Sequence, residues 1–355
     1  MKLQQFDTII IGQGLAGTTL AWHLLQRKQN ILVLDQENSI TCSKIAAGLV
    51  TPITGMRLVI SWRFQELLQT AEQFYRKVEQ ETASHFYHQR GMIRLFSSQA
   101  EQDRFTKKLE TQEFRELVQQ PISSFNQNLF SSPMGGFEMP AASQLYVSQF
   151  LAASQKVFQN RRCYQSACVD MNEGIILTAN QVQIPKCGVS ATRLIFCQGA
   201  EDRNNPWFPQ LKFKPAQGEI LTLDIPESQE SRIINHKSWL APMPENKFAA
   251  GSTYEWDQLD SKPTENGKRE IVAKLKQFLR CPFQIIDHRA AIRPALQDQK
   301  PIIGMHPQFK QLGMMNGLGS KGSLQAPWLA ENFANFICEG KPIDSQVDLN
   351  QRYPA

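Results

Sequence analysis

The 355-residue sequence contains few cysteines and no long apolar run. Its seven cysteines include no C-x-x-C pair, so neither a disulfide framework nor a common zinc-binding spacing is indicated, and we expect no metal site. No segment approaches the ~20 consecutive apolar residues of a membrane helix. The N-terminus also lacks the apolar stretch and cleavage site of a secretory signal. These absences predict a cytoplasmic protein with reduced thiols and no membrane span.

Charge of either sign is also modest. The chain has 38 Lys and Arg against 33 Asp and Glu, for a net charge of +5. This excess is well short of that of a dedicated nucleic-acid binder. Hydrophobic residues make up 41% of the chain, which excludes intrinsic disorder as the main state. At ~100–200 residues per domain, the length predicts two structural units or one large α/β unit with an insertion.

The chain opens with a strand, a glycine-rich turn and a helix. Residues 6–11 form an apolar, β-branched run of the kind buried on both faces of a parallel sheet. The sequence GQGLAG at residues 12–17 follows and leads into a predicted helix over residues 16–27. A second predicted strand, residues 30–34, ends at Asp35. The pattern is therefore a β-α-β unit with the G-x-G-x-x-G spacing of dinucleotide-binding proteins.

Each glycine of this motif has a physical role in binding a dinucleotide. Gly12 permits the tight turn, Gly14 lets the backbone approach a pyrophosphate, and Gly17 lets the helix pack closely on the strand. The pyrophosphate would lie at the helix N-terminus, where free N–H groups and the helix dipole favour an anion. Asp35, 18 residues after Gly17, would accept hydrogen bonds from a ribose.

Two alternatives to an FAD site are open at this point: a tight turn that binds no ligand, and a site for NAD. A nicotinamide dehydrogenase usually continues with regular β-α repeats. This chain instead departs into SKIAAGLVTP, residues 43–52, and then into a β-rich middle region. The departure favours FAD.

The rest of the chain contains one excursion and one further glycine loop. Residues 119–142 are rich in Pro, Ser, Gly and Asn, which marks an excursion between two parts of one sheet domain. Periodicity predicts a helix with a Ser cap over residues 143–158 and a strand over residues 168–171. A glycine loop at residues 317–322 precedes a predicted helix over residues 324–338. The C-terminal part thus repeats the strand, loop and helix of the N-terminus.

Motifs along the whole chain resemble the FAD-dependent amine and amino-acid oxidases, the family of D-amino-acid oxidase, glycine oxidase and sarcosine oxidase. AAGLVTP at residues 46–52 resembles the family loop that lies against the flavin ring, and FCQGA at residues 196–200 resembles its third FAD motif. The strongest matches are residues 288–304 and 316–331. The second of these, with GLGSKG, is most similar to the oxidase domain of the bifunctional bacterial enzyme that completes 5-methylaminomethyl modification of tRNA wobble uridine.

The resemblance implies a fold and a division of the chain. The expected fold class is α/β (α+β overall), with a Rossmann-like FAD-binding domain of the D-amino-acid oxidase and glutathione-reductase type. An antiparallel-sheet substrate domain is inserted into it. We expect residues 1–90, 141–215 and 296–355 to form the FAD-binding domain, and residues 91–140 and 216–295 to form the substrate domain.

Together, the motifs and the resemblance predict a set of FAD-binding residues and non-covalent FAD. The family's covalent-flavin Cys has no counterpart beside Arg293. The glycine loop at residues 317–322 would supply N–H groups that stabilise negative charge on a reduced flavin. The residues predicted to contact FAD are Gly12, Gly14, Leu15, Ala16, Gly17, Asp35, Gln36, Ser43, Ala47, Gly48, Leu49, Val169, Gly199, Gly317, Gly319, Ser320, Lys321, Gly322 and Ser323.

Two residues are predicted to bind substrate. Arg293 matches the family position whose guanidinium holds the substrate carboxylate by a two-pronged hydrogen bond, and it is preferred over Arg289. The alternative is that Arg293 stabilises the loop before Pro294 through carbonyl contacts. Trp239 stands where glycine oxidase has a carboxylate-binding Tyr, so oxidation of ordinary small amino acids is not favoured. Residues 248–251 contain no counterpart of the sarcosine oxidase Lys, which argues against oxygen as electron acceptor.

The resemblance implies oxidation of a C–N bond in a small amine that carries a carboxylate, with hydride transfer to flavin N5 and release of an imine. One alternative is a tRNA oxidase that acts on a carboxymethylaminomethyl wobble uridine. The modest charge and the absence of a fused methyltransferase argue against it. A second alternative is a catalytically inactive FAD-binding protein.

Overall fold

The computed structural model describes residues 3–122 and 125–354. Within these ranges the chain forms 20 β-strands and nine α-helices. The strands are β1 (Gln4–Ile11), β2 (Ile31–Asp35), β3 (Leu49–Val50), β4 (Ile53–Thr54), β5 (Val59–Ile60), β6 (Tyr87–Gln89), β7 (Met92–Leu95), β8 (Gly136–Met139), β9 (Ser143–Leu145), β10 (Tyr164–Ser166), β11 (Ile176–Leu177), β12 (Val182–Ile184), β13 (Val189–Phe196), β14 (Ala216–Asp224), β15 (Ile233–His236), β16 (Ser238–Pro242), β17 (Lys247–Gly251), β18 (Gln284–Arg293), β19 (Ile302–Met305) and β20 (Leu312–Asn316). The helices are α1 (Leu15–Gln26), α2 (Cys42–Ile45), α3 (Phe64–Thr82), α4 (Gln99–Lys108), α5 (Gln112–Arg115), α6 (Val147–Asn160), α7 (Glu265–Leu275), α8 (Gly322–Glu339) and α9 (Leu349–Arg352).

The larger sheet is built around a parallel core. Strands β10, β2, β1 and β13 lie side by side and parallel, and β20 pairs parallel with the carboxyl-terminal half of β13. Strands β12, β11 and β19 add antiparallel edges. Because β1, β2, β13 and β20 run the same way, their carboxyl ends meet at one edge of the sheet. This is the edge at which open α/β sheets bind ligands.

Both faces of this sheet are buried, as the apolar run in β1 predicts. Ile10, Val33 and Ile195 point to the face covered by α1 and α8, where Trp22 and Leu329 are also buried. Side chains that alternate with these in sequence, such as Ile9 and Ile11, belong to a second cluster on the opposite face. Burial of each such aliphatic side chain stabilises the folded state by roughly 1.5–3 kcal/mol.

A second sheet of seven strands has the order β18-β14-β17-β16-β15-β7-β8 and is antiparallel except for the β15–β7 pair. One face packs against α7, where Leu221 and Leu223 of β14 meet Ile271. The alternating β14 residues Gly218 and Ile220 face the other side, where they line a cavity. The second sheet draws its strands from two separated parts of the chain, and the exact domain boundaries stay a prediction.

Two predictions of secondary structure were wrong. The helix predicted over residues 143–158 begins later, because Ser143–Leu145 is strand β9, held between β3 and β6. Helix α6 then follows Tyr146, which makes no side-chain cap. The strand predicted over residues 168–171 is irregular, since the side chain of Asp170 accepts N–H bonds from Asn172 and Glu173 in a tight turn. The neighbouring strand is β10.

Three further features complete the description. The segment 119–142 contains strand β8, and residues 123–124 of that segment lie outside the described residues. All seven cysteines are free. In the described part of the chain, no helix is long and apolar enough to cross a membrane, and no group of three or more His, Cys, Asp or Glu side chains could hold a metal ion.

Candidate functional site

A cavity of about 1100 Å³ lies between the two large sheets. We call its first side the sheet-edge wall; it consists of the loops that follow β1, β2, β13 and β20. We call its second side the sheet-face wall; it consists of residues from β14, β16 and β18, including Gly218, Trp239 and Arg293. The volume exceeds the range of about 300–1,000 Å³ usual for drug-sized ligands. It can therefore hold a dinucleotide together with a small substrate.

The glycines of the first loop allow very close backbone contacts. Gly12 has φ +101°, and a Cβ there would lie 2.5 Å from the carbonyl oxygen of Cys197. A Cβ on Gly17 would lie 1.8 Å from the carbonyl oxygen of Gly12. Gly14 is the N-cap of α1 and makes no side-chain cap bond. The first turn of α1 therefore presents backbone N–H groups to the cavity, which is suited to an anion.

Asp35 and Ser43 complete this first loop. The Asp35 carboxylate accepts hydrogen bonds from the backbone N–H of Gln13 at 2.6 Å and of Glu37 at 2.7 Å. The Ser43 hydroxyl accepts one from the N–H of Leu15 at 3.1 Å. Asp35 therefore fixes the turn between β1 and α1 at the end of the neighbouring strand. Both side chains line the cavity.

The second predicted segment, residues 47–49, also lies on the cavity. Gly48 has φ +68°, and a Cβ there would lie 1.8 Å from the carbonyl oxygen of Leu145. The carbonyl oxygen of Ala47 accepts a hydrogen bond from the Gln144 side chain at 3.1 Å. Strand β9 thus holds this backbone segment against the cavity, and that contact requires glycine at position 48.

The loop after β20 carries an unpaired cation. Gly319 has φ +54° and donates its N–H to the Pro294 carbonyl at 3.0 Å. Lys321 lines the cavity at the N-cap of α8, and burial lowers the pKa of its ammonium group. Among the described residues, no carboxylate oxygen lies within 4.0 Å of this ammonium group. The loop therefore presents both backbone N–H groups and a positive charge to the cavity.

Two buried polar residues that sequence reasoning did not select connect the sheet-edge loops. Asp202 is 1% exposed and Asn316 is 2% exposed. The Asn316 amide donates to the Asp202 carboxylate at 2.8 Å and to the Gly199 carbonyl at 2.9 Å. Burial raises the pKa of Asp202 to about 6. The only sequence signal was the position of Asn316 directly before GLGSKG, because Asp202 lies in no motif.

Arg293 lies on the sheet-face wall with its guanidinium held by several groups. It donates to the hydroxyl of Ser252 at 2.8 Å and to the carbonyl oxygen of Thr253 at 3.2 Å. A longer bond of 3.4 Å reaches the Gln217 carbonyl. The ring of Tyr254 lies 4.2 Å from the guanidinium carbon. These carbonyl contacts belong to β14 and to the segment after β17, not to the loop before Pro294.

The charge of Arg293 has no carboxylate partner. Among the described residues, no carboxylate oxygen lies within 4.0 Å of its guanidinium, whereas Arg289 on the same strand pairs with Asp287 and is 54% exposed. A Cβ on Gly218 would lie 1.9 Å from a guanidinium nitrogen, so glycine makes room for the Arg293 side chain. The cavity wall therefore offers a fixed, planar cation to a ligand anion.

Trp239 lies on β16, which strands β14 and β17 separate from β18 and Arg293. Its backbone pairs with that of Gly251, and a Cβ on Gly251 would lie 2.9 Å from the indole ring. The indole N–H donates to no protein atom in the part of the chain described. Trp239 therefore offers the cavity a broad apolar surface and one free donor.

The structure places 19 of the 21 predicted site residues on the lining of this single cavity. The exceptions are Gly17 and Gly317. Gly17 packs against the Gly12 carbonyl, and Gly317 packs against Leu296 and Pro301. Both glycines therefore allow the loops to pack against the protein on the side away from the cavity. The cavity lining also includes Gln198, whose side-chain oxygen is buried without a partner among the described residues. An unpaired buried acceptor of this kind fits a site that holds a ligand with hydrogen-bond donors.

The chain is similar to known proteins over nearly its whole length. The family described as FAD dependent oxidoreductase matches residues 7–336. Glycine oxidase of Bacillus licheniformis is 21% identical over 367 residues, covering 97% of this chain and 95% of that protein. The crystal structure of iminodiacetate oxidase from Chelativorans sp. BNC1 has a TM-score of 0.77 at 19% identity, covering 98% of both chains.

A further relative is longer than this chain. The tRNA 5-methylaminomethyl-2-thiouridine biosynthesis bifunctional protein of Marinobacter nauticus is 24% identical over 356 residues. The match covers 93% of this chain and 55% of that protein. The chain thus spans about half the length of this bifunctional relative.

Proposed function

The chain belongs to the family of FAD-dependent oxidoreductases, and we propose that it oxidises a C–N bond of a small amine that carries a carboxylate. The observation that carries this proposal is Arg293, a planar cation on the cavity wall without a carboxylate partner in the described structure. The predicted product is an imine, which water then hydrolyses. When bound, FAD would supply the acceptor for the hydride, which carries both electrons.

The sheet-edge wall has the features needed to hold FAD. The N-terminus of α1 would take the pyrophosphate, and Asp35 would accept hydrogen bonds from the ribose. The glycine loop before α8, together with Lys321, would stabilise negative charge on the reduced ring. The unpaired oxygen of Gln198 and the narrow backbone contacts at Gly12 and Gly48 agree with a bound dinucleotide.

The sheet-face wall would orient the substrate. Arg293 would pair its charge with the carboxylate. Its bonds to Ser252 and Thr253 fix the plane of the guanidinium, and a two-pronged contact with the substrate would replace some of these bonds. Trp239 would exclude water from one side of the amine. No side chain needs to accept a proton if the amine binds in its neutral form, since orientation and removal of solvent supply the rate enhancement.

We also propose that FAD is held without a covalent bond. Burial raises the pKa of Cys42 and Cys197, two thiols on the cavity lining. A protonated thiol is a poor nucleophile. Acid precipitation of the holoenzyme should therefore release all of its flavin into the supernatant, and flavin retained in the pellet would contradict this proposal. The seven free cysteines suit the reducing cytoplasm.

The test is anaerobic titration of the purified protein with N-alkyl glycines, D-amino acids and proline, monitored by bleaching of the visible flavin band. Bleaching by one of these amines supports the proposal, and adding air or a quinone then identifies the electron acceptor. A wild-type protein whose bound flavin no amine and no tRNA bleaches is an inactive FAD-binding protein, and the proposal then fails.

A second candidate is oxidation of a carboxymethylaminomethyl group on a tRNA wobble uridine, which is also an amine with a carboxylate. Two observations favour it: the similarity to the bifunctional tRNA-modifying relative, and an aromatic pair beside the cavity. Tyr254 lines the cavity, is 52% exposed and stacks with Trp256, which is 53% exposed. Exposed stacked aromatics can bind a nucleobase. This candidate would be selected if the flavin is bleached only by tRNA that carries the carboxymethylaminomethyl group, and if high salt abolishes the bleaching.

A further inference from the structure

A buried carboxylate joins two loops of the sheet-edge wall. Asp202 belongs to the short turn Gly199–Asn204, which follows β13, and is not itself one of the predicted site residues. One of its oxygens accepts bonds from the Gln198 backbone N–H at 3.0 Å and from the Asn316 amide at 2.8 Å. The other oxygen accepts a bond from the Asn205 amide at 2.9 Å. All three partners are donors, so the site is built for an ionised acceptor.

Asn316, the last residue of β20, completes the connection. Its amide nitrogen donates to Asp202 and to the carbonyl oxygen of Gly199. Its amide oxygen accepts the backbone N–H of Gly317 at 2.7 Å. One side chain therefore contacts both the loop after β13 and the first residue of the glycine loop.

These bonds lie where the backbone ladder stops. Strands β13 and β20 pair in register up to Phe196 and Met314, and the two loops that continue from them have no strand pairing between them. Both loops line the cavity at Gln198, Gly199 and Gly319. The hydrogen bonds of the Asn316 side chain to Asp202 and Gly199 therefore connect the two loops beyond the strand pairing.

The cost of this arrangement argues for a role beyond packing. A carboxylate that is 1% exposed loses its hydration, and only the three donors compensate for that loss. The same volume filled by an apolar side chain would carry no such cost. Loops that must present N–H groups at a fixed spacing to a ligand need a polar connection that also fixes backbone direction.

We propose that Asp202 and Asn316 form a loop clamp that sets the spacing of these two loops for FAD, so that both are positioning residues for cofactor binding. The proposal rests on the family's cofactor and not on the identity of the amine. The clamp touches the protein loops and not the reacting atoms. Loss of the clamp should therefore raise the Kd for FAD markedly while it lowers the stability of the apoprotein only moderately.

The experiment compares FAD affinity and apoprotein stability in Asp202→Ala, Asn316→Ala and the double variant. Each single variant should raise the Kd for FAD about tenfold or more. Asp202→Ala leaves buried donors without an acceptor, and Asn316→Ala removes a donor from the buried carboxylate. The double variant should bind FAD only slightly more weakly than either single variant. The effects of the two substitutions on the Kd are not additive, because both remove the same connection. The absorption band of bound flavin should shift or broaden in all three.

Glu79 supplies a matched control. It is a buried carboxylate, 8% exposed, that accepts the backbone N–H groups of Phe86 and Tyr87, both at 2.7 Å, and it does not line the cavity. Glu79→Ala should lower the melting temperature of the apoprotein at least as much as Asp202→Ala does. Its Kd for FAD should stay within about twofold of wild type, because the lost bonds are remote from the site.

Three results would overturn the clamp: an unchanged Kd for FAD in folded Asp202→Ala, multiplied losses in the double variant, or an equal loss of affinity in Glu79→Ala. Failure of both single variants to fold would also overturn it, by assigning the pair to folding. These outcomes are separate from the proposed reaction, because a wild-type protein that binds FAD but oxidises no amine still tests the clamp.

Discussion

The sheet-edge wall is rich in backbone N–H groups and glycine Cα atoms, with a few polar side chains such as that of Lys321, whereas the sheet-face wall presents mainly side chains. On the first wall, Gly12 and Gly48 leave no room for a Cβ because carbonyl oxygens lie against them. On the second wall, Gly218 leaves room for one particular side chain, the guanidinium of Arg293. The difference indicates that close backbone packing shapes the first wall at these glycines, whereas exchangeable side chains shape the second wall.

This contrast explains how one family fold can keep its cofactor and change its substrate. A backbone wall changes only if the chain path changes, which would disturb the large sheet. A side-chain wall can change by single substitutions on β14, β16 and β18 without moving a strand. We therefore expect substitutions on the sheet-edge wall to impair folding and FAD binding. Substitutions on the sheet-face wall should change the kinetics of substrate oxidation.

The largest effect is expected for Gly12→Ala. The methyl group would overlap the Cys197 carbonyl, at 2.5 Å, in a backbone conformation with φ +101°. We expect loss of FAD binding and a large drop in melting temperature. Gly188→Ala is the control, because Gly188 also has a positive φ, +71°, but has open space around its Cβ position. It should cost about 1–2 kcal/mol, measured by thermal unfolding. Equal losses in the two variants would contradict the backbone-wall interpretation.

The next effect is expected for Arg293→Lys. The ammonium keeps the charge but cannot donate two parallel bonds to a carboxylate. We expect the KM for the amine to rise about tenfold to a hundredfold, with FAD affinity unchanged. Steady-state kinetics and FAD titration measure the two effects separately. Arg289→Lys, on the same strand but exposed and paired with Asp287, should leave KM unchanged. An unchanged KM in Arg293→Lys would remove Arg293 from the substrate site.

A smaller effect concerns pH and the sheet-edge wall. Burial raises the pKa of Asp202 from 3.8 to about 6 in the folded protein. The folded protein therefore holds this proton to higher pH than the unfolded chain does. The contribution of Asp202 to the free energy of unfolding should fall as pH rises from about 4 to 6 and level off above that.

Denaturant unfolding of the apoprotein across that pH range checks this sign. In Asp202→Asn the part of the slope due to this group should disappear, while other titrating groups keep their contributions. Identical pH profiles for the two proteins would contradict the raised pKa. The neighbouring charge of Glu201 acts in the same direction as burial, so its removal should lower the pKa of Asp202 slightly.

The smallest effect is expected for Trp239→Phe on the sheet-face wall. Phenylalanine keeps an apolar ring beside Gly251 but loses the indole donor and part of the contact area. We expect KM to change about fivefold or less, with no change in FAD affinity or melting temperature. A large loss of flavin in this variant would show that Trp239 belongs to the cofactor site, and the separation of the two walls would fail.

The sheet-edge wall could be predicted from the sequence because its motifs are local. The spacing from Gly12 to Asp35 lies within one β-α-β unit and predicted a dinucleotide site. The family, which the resemblance of several motifs along the chain implied, and the α/β class are confirmed. The glycine loop before α8 is equally local. In each case a few adjacent residues determine a turn and a helix start, and physical rules for such turns transfer between proteins.

The rest depends on contacts between distant residues. Asp202 meets Asn316 across 114 positions, and Arg293 meets the Gln217 carbonyl across 76 positions. No local pattern encodes these distances, because they follow from strand order in two sheets. The mistaken helix start at Ser143 has the same origin, since pairing with β3 and β6 overrides the local helical pattern.

The central position of β1 affects how the protein is made. A ribosome completes β1 and β2 early, but β13 begins only at residue 189 and β20 at residue 312. Pairings between strands far apart in the sequence form slowly, and the apolar strands stay exposed until their partners are in place. The nascent chain therefore exposes one edge of β1 until β13 has been made, and the cavity is complete only once β20 and α8 have been made.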